Sequence, residues 1–168
     1  YGLNVFAISN HLAGQLVCDP NDDARSDMFS PKEYHGQPEA KRKWAIQSML
    51  NTAKAAKNLG IEIVNGFTGS SIWHMIYSFP PVSEEMIENG FKYFAEMWNP
   101  IFDEFDKNGI KFALEVHPTE IAFDIITAKR ALKAVNYRKT FGFNFDPSHL
   151  HWQMLNPVKF LQIFSDRL

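Results

Sequence analysis

Hydrophobic positions fall along this chain in short runs and in longer helical stripes, and the two alternate. Leu3 to Ser9 is brief, rich in Val, Ile and Phe, and bounded by polar residues, which predicts a buried strand. The polar stretch from Asn10 to Pro38, with several Asp, Asn, Ser and Pro residues, predicts a long loop, and such loops inside compact domains generally serve function or move. Glu39 to Leu59 then sets Ile46, Met49, Leu50, Ala53 and Ala56 on one helical face, and Gly60 stands where a helix end favours a left-handed residue. A second strand, Ile61 to Asn65, runs into the hydroxyl-rich loop Gly66-Phe67-Thr68-Gly69-Ser70-Ser71.

Ser83 can cap a helix whose first turn carries Glu84 and Glu85, acids suited to the positive end of the dipole. Its apolar stripe is Ile87, Phe91, Phe94, Trp98, Ile101 and Phe105; Pro100 is expected to kink the helix or shift its phase, and Asn108-Gly109 to close it. Lys111 to His117 predicts a third strand and Thr140 to Phe145 a fourth. Between them Thr127 is placed as the cap of a short helix running to Val135, with Ala131, Leu132 and Val135 inward; Pro157 to Phe164 begins a last helix.

Strand and helix thus alternate four times, which implies parallel strands joined by right-handed crossovers. No glycine-rich dinucleotide fingerprint or P-loop follows any strand, so the open doubly wound sheet loses its best support. The closed (β/α)8 TIM barrel gains, but it typically needs about 250 residues. The 168 residues are therefore expected to form a single domain holding four to five consecutive βα units of a larger barrel. The opening Tyr1-Gly2-Leu3-Asn4-Val5-Phe6, which has the pattern of a strand and not of a signal peptide, agrees with a chain that begins inside the barrel.

A hydrophobic fraction of 45% with 21% charged residues describes a folded chain rather than a disordered one. Seventeen basic and nineteen acidic residues leave a net charge of −2, with no basic stripe longer than Lys41-Arg42-Lys43. That triplet is expected on a solvated helix face, and a nucleic-acid partner is not expected. One cysteine, Cys18, excludes an internal disulfide and fits a reducing, cytoplasmic compartment. No apolar run approaches the roughly 20 residues that span a bilayer, so no membrane partner is expected either.

The chemistry lies in the third and fourth strands. Alternation puts Phe112, Leu114 and Val116 on one face and Ala113, Glu115 and His117 on the other. It likewise separates Phe141, Phe143 and Phe145 from Gly142, Asn144 and Asp146. With the bulky rows against the helices, Glu115 and Asp146 point inward at the carboxyl ends of neighbouring strands, where such barrels keep their active sites. Two carboxylates brought together near a barrel axis repel each other and resist ionisation, and a divalent cation lets both stay charged. The alternative is that each caps the following helix or pairs with a base. His149 returns to the same mouth through Asp146-Pro147-Ser148-His149. His117 shares the face of Glu115, and His11 and His74 follow earlier strands at the same end; His151 is expected to be exposed. Trp73 and Phe67 offer a flat apolar surface for a sugar ring, with core or lid packing as the alternative. Glu120 is placed as an acid at the start of the following helix rather than a substrate contact.

At Ile8-Ser9-Asn10-His11-Leu12, Leu114-Glu115-Val116-His117-Pro118 and Phe145-Asp146-Pro147-Ser148-His149-Leu150 the chain resembles the xylose isomerase-like superfamily of sugar and sugar-phosphate isomerases and epimerases. The resemblance implies a barrel segment from the second strand to just past the fifth. It implies one divalent metal, Mn²⁺, Mg²⁺ or Co²⁺ with Zn²⁺ possible, on Glu115 and Asp146. Glu115 would also be the acid or base for one face of the reacting carbon, in an enediolate proton transfer on a small-molecule sugar. His149 would contact substrate; His117, His11 and Trp73 are further candidate substrate contacts from their place at the same mouth. The family completes its site with a His and a Glu from later strands, outside this chain. The resemblance also admits an abasic-site endonuclease, in whose relatives the residue matching His149 binds metal, and a polyol dehydratase. A non-catalytic sugar-binding fragment is a further reading, and the exposed sheet edges of a half barrel would favour a homo-oligomer.

Overall fold

The computed structural model describes residues 2–76 and 78–168. One parallel sheet runs in the order β1 (Ala7–Ser9), β2 (Ile63–Gly66), β3 (Lys111–Glu115) and β4 (Phe141–Asn144). Helices α1 (His11–Cys18) and α2 (Pro38–Leu59) follow β1, and α3 (Glu84–Asn108) follows β2. Helix α4 (Ile125–Ala134) follows β3, while α5 (Pro147–Trp152) and α6 (Pro157–Phe164) follow β4. Parallel strands lying side by side in chain order, with a helix in each crossover, are consecutive units of a TIM barrel; an open doubly wound sheet reverses its strand order part-way. The α/β class and the partial barrel expected from the pattern are what the chain adopts.

Alternation in the strands creates the core. Phe112, Leu114, Val116, Phe141 and Phe143 are buried against the helices, and α3 answers with Phe91, Phe94, Trp98, Ile101, Phe102 and Phe105. The Phe112 ring lies 4.7 Å from Trp98, 5.9 Å from Phe102 and edge-on to Phe105 at 5.8 Å, spacings at which aromatic pairs attract beyond their buried area. Helix ends obey local rules: Gly60 is left-handed at φ 69°, and the Ser83 hydroxyl accepts from the Met86 amide.

Several expectations fail for physical reasons. Leu3 to Phe6 is exposed and outside the sheet, because strand pairing begins only at Ala7, opposite Ile63; Tyr1 lies outside the described residues. The supposed loop from Asn10 to Pro38 contains α1 and two short 3-10 turns, Ala24–Phe29 and Lys32–Tyr34. Helix α1, His11-Leu12-Ala13-Gly14-Gln15-Leu16-Val17-Cys18, buries Ala13, Leu16 and Val17, and its eight residues are too few to stand out within the long polar stretch that follows them. Of Lys41-Arg42-Lys43 only Lys43 is exposed. The Lys41 ammonium is fully buried, 2.5 Å from Asp27 and 2.6 Å from the Ser26 hydroxyl. Arg42 donates to the carbonyls of Val17 and Asp19, which the C-terminus of α1 leaves without helical partners. Hydrophobic patterning misses this use because long basic side chains bury their stems and carry their charge to a partner. The buried stripe of α3 continues past Pro100 through Ile101, Phe102 and Phe105 without a break in phase. Asp124, not Thr127, is the cap of α4; Thr127 is its reciprocal partner in a capping box.

If this aromatic layer holds the half barrel together, Phe112→Ala should cost about 3–5 kcal/mol, read as a lowered urea midpoint at unchanged slope. A loss under about 1 kcal/mol would show that the sheet is held by something else.

Candidate active site

The register of the sheet sets the site. Glu115 ends β3 opposite Asn144 of β4, and both face away from the helices. The Asn144 amide donates to Glu115 Oε2 at 3.4 Å. Glu115 is held between two imidazoles, with His11 Nε2 at 3.0 Å from Oε2 and His149 Nε2 at 3.0 Å from Oε1. His11 is the first residue of α1, and His149 lies in α5, so the carboxylate joins elements that follow the first and fourth strands.

Asp146 occupies the cap position of α5, where Oδ1 accepts from the Ser148 amide at 2.7 Å and the Ser148 hydroxyl at 2.6 Å. These bonds, the hydroxyl's first, hold its pKa below the ordinary carboxylate value. The expected resistance of this carboxylate to ionisation is not seen at Asp146, where hydrogen bonds to the charged form outweigh the small desolvation of an open position. The capping role and the inward role coexist, since Oδ2 remains 3.7 Å from His149 Nε2. Glu115, Asp146 and His149 each offer one ligand atom within 4.8 Å of the others. Two carboxylates and an imidazole, each half-buried, are a set of a kind that could hold a metal ion.

His117 joins the group through its ring, edge-on to His149 at 4.2 Å. Burial, then the neighbouring His149, pushes its pKa down, so it stands as a neutral ring with Nδ1 against the Pro118 carbonyl. Phe67, in the loop after β2, packs on both His11 (4.6 Å) and His117 (5.1 Å). Trp73 does not enter this group: it sits in the 3-10 turn Trp73–Met75, with its ring edge-on to Phe123 at 5.1 Å. His74 lies in the same turn, and His151 is exposed as expected.

Glu120 overturns its assignment. It is 1% exposed, five residues before α4, and its Oε2 accepts from the Thr68 amide (2.6 Å), the Gly69 amide (2.8 Å) and the Thr68 hydroxyl (3.0 Å). Oε1 has no hydrogen-bond partner among the described residues. Burial, reinforced by Asp19 and opposed by these donors, pushes the carboxyl up to about 8. Sequence carries no sign of this, because the contact spans 52 positions.

The model of the xylose isomerase-like TIM barrel matches residues 16–168, and the chain belongs to that family. Among solved structures it is similar to 3-keto-D-glucoside 4-epimerase from E. coli, at 14% identity and a TM-score of 0.67, covering 99% of this chain and 57% of that one. It is also similar to the probable 3-DHS dehydratase AsbF of Bacillus anthracis, at 16% identity and TM-score 0.65, covering 99% and 48%. A third is the IolI protein with a binding zinc atom, at 18% identity and TM-score 0.58, covering 97% and 48%. The chain thus spans about half the length of these proteins. No curated protein sequence matches it. No helix among the described residues is long and apolar enough to cross a membrane.

A group whose pKa is raised by folding keeps its proton where the unfolded chain has lost it. The stability Glu120 contributes is full below its ordinary value of 4.5 and drains as pH rises towards about 8. Glu120→Gln should remove that drain, so its urea midpoint should gain on the parent's between about pH 5 and about pH 8. A constant gap over that range would mean that the carboxyl ionises in the fold as easily as in water.

Proposed function

We propose that these residues form part of the active site of a divalent-metal-dependent sugar or sugar-phosphate isomerase or epimerase. The observation that carries the reading is the convergence of Glu115, Asp146 and His149 at the carboxyl ends of adjacent barrel strands. Glu115, Asp146 and His149 would hold the cation. When bound, a divalent cation supplies a Lewis acid for a substrate carbonyl and its neighbouring hydroxyl. Mn²⁺, Mg²⁺ or Co²⁺ suits the oxygen-rich set, and Zn²⁺ becomes more suitable as histidines join it.

The protein's own part is to hold and move a proton. Glu115 is the acid or base for one face of the carbon beside the carbonyl. His11 and His149 fix its two oxygens, so the carboxylate meets substrate in one orientation rather than many. Its inner position, with the side chain 17% exposed, limits water and strengthens each polar contact. His117, neutral and wedged between Phe67 and His149, can offer Nε2 to a substrate hydroxyl. Phe67, packed on His11 and His117, supplies an apolar surface to this cluster, while Trp73 packs on Phe123.

Dehydration is the second reading. It is favoured by the likeness to a dehydratase and uses the same proton abstraction, followed by loss of a hydroxyl. The net charge of −2 and the absence of a basic stripe weigh against a nuclease.

Calorimetric titration with Mn²⁺ should give one site on this chain, weakened roughly tenfold or more, about 1.4 kcal/mol, in both Glu115→Gln and Asp146→Asn. Binding that survives both substitutions would place the metal elsewhere and end the reading. A form extended to the full length of the solved relatives should, in heavy water, introduce deuterium beside the carbonyl of a ketose or keto-glycoside. Product of unchanged skeleton mass apart from that label indicates isomerisation or epimerisation, and product lighter by one water indicates dehydration.

A further inference from the structure

Directly after Phe67 the loop runs through Thr68, Gly69 and Ser70, all buried. Three consecutive backbone amides of that segment donate to carboxyl groups from other parts of the fold. Thr68 and Gly69 donate to Glu120 Oε2, and Ser70 donates to Asp19 Oδ1 at 2.9 Å. The opposite side is closed as well, where Trp98 Nε1 donates to the Thr68 carbonyl at 3.1 Å. The segment has no room to move toward α1. A Cβ on Gly14 would stand 2.0 Å from the Phe67 carbonyl oxygen, and one on Gly69, whose φ is +67°, would stand 2.1 Å from that of Gln15. Phe67 leads into this clamp, and its ring packs on both His11 and His117.

We infer that Glu120 is a positioning residue: it anchors the loop at Thr68 and Gly69, and through Phe67 it sets the orientation of His11 and His117. The inference rests on the reading of the Glu115 cluster as an active site. The mechanical chain is short. Withdrawing Oε2 frees two adjacent amides in a buried place and leaves the Thr68 hydroxyl only the Gly69 carbonyl, so the loop relaxes to find new partners and the ring attached to it moves. His11 then loses the edge contact that accompanies its bond to Glu115, and His117 loses one of its two aromatic neighbours. The role needs an acceptor oxygen, not a negative charge, because the Gln carbonyl oxygen can receive the same donors.

The test is made on the metal-free chain, by following the ring carbon-bound protons of the histidines by NMR. Phe67→Leu removes the ring and marks how far the His11 and His117 signals move when its ring current is lost. Folded Glu120→Ala should move the same two histidines in the same direction and leave His35 and His151 in place, while Glu120→Gln should keep the parent positions. Unmoved His11 and His117 signals in folded Glu120→Ala overturn the inference, and so does a Glu120→Gln variant displaced as far as the Ala variant. If Glu120→Ala does not fold, Thr68→Val removes one donor and keeps the carboxyl; it should move the same signals by a smaller amount, and no movement overturns the anchor. Because no metal is present, the result is separate from Mn²⁺ binding. Displaced signals together with absent Mn²⁺ binding in the parent would keep the anchor and remove the metal reading.

Discussion

In the sheet, Glu115 of β3 pairs with Asn144 of β4, and every chemical feature of the mouth depends on that register. Strand side chains repeat with a period of two, so this pairing sends Phe112, Leu114, Phe141 and Phe143 together into the helical layer and their polar neighbours together to the other face. A slip of one residue would turn each acid into the aromatic core and each phenylalanine to the inner face, a cost far beyond what any hydrogen bond at the mouth could offset. The apolar packing of α3 on β3 and β4 therefore locks the position of the polar groups without touching them. Asp146, two residues past Asn144, keeps the same sense and starts α5 at the rim.

Glu115 is a carboxylate with both oxygens engaged by imidazoles, an arrangement that compensates a half-buried charge while leaving its outer lone pairs available. Asp146 divides its work between two oxygens: one caps a helix, the other faces His149. The same residue satisfies a helix end and stands beside His149, so the capping reading and the ligand reading are compatible. Family membership and the half-length overlap with solved relatives agree with a mouth assembled from several strand ends, as barrels of this kind require.

Below this mouth lies a second polar layer made by Glu120, Asp19, Thr68, Gly69, Ser70 and Trp98. It serves the backbone of the loop after β2, whose amides have no strand to pair with. An acid held neutral by burial is an unusual solution, and it makes the loop's conformation depend on a residue far along the chain.

The parallel order of the strands, the aromatic stripe of α3, the inward row of Glu115 and Asp146 and the return of His149 were all legible in the chain itself. Each follows from a period, two for strands and 3.6 for helices, or from a local cap or turn, and such rules act over a few residues. The joining of His11 to Glu115, the packing of Trp73 on Phe123, the burial of Lys41 and Arg42 and the clamp at Glu120 were decided only by the tertiary structure. They depend on contacts between residues tens of positions apart, where burial, pairing and exclusion of water outweigh the local preference of any one side chain.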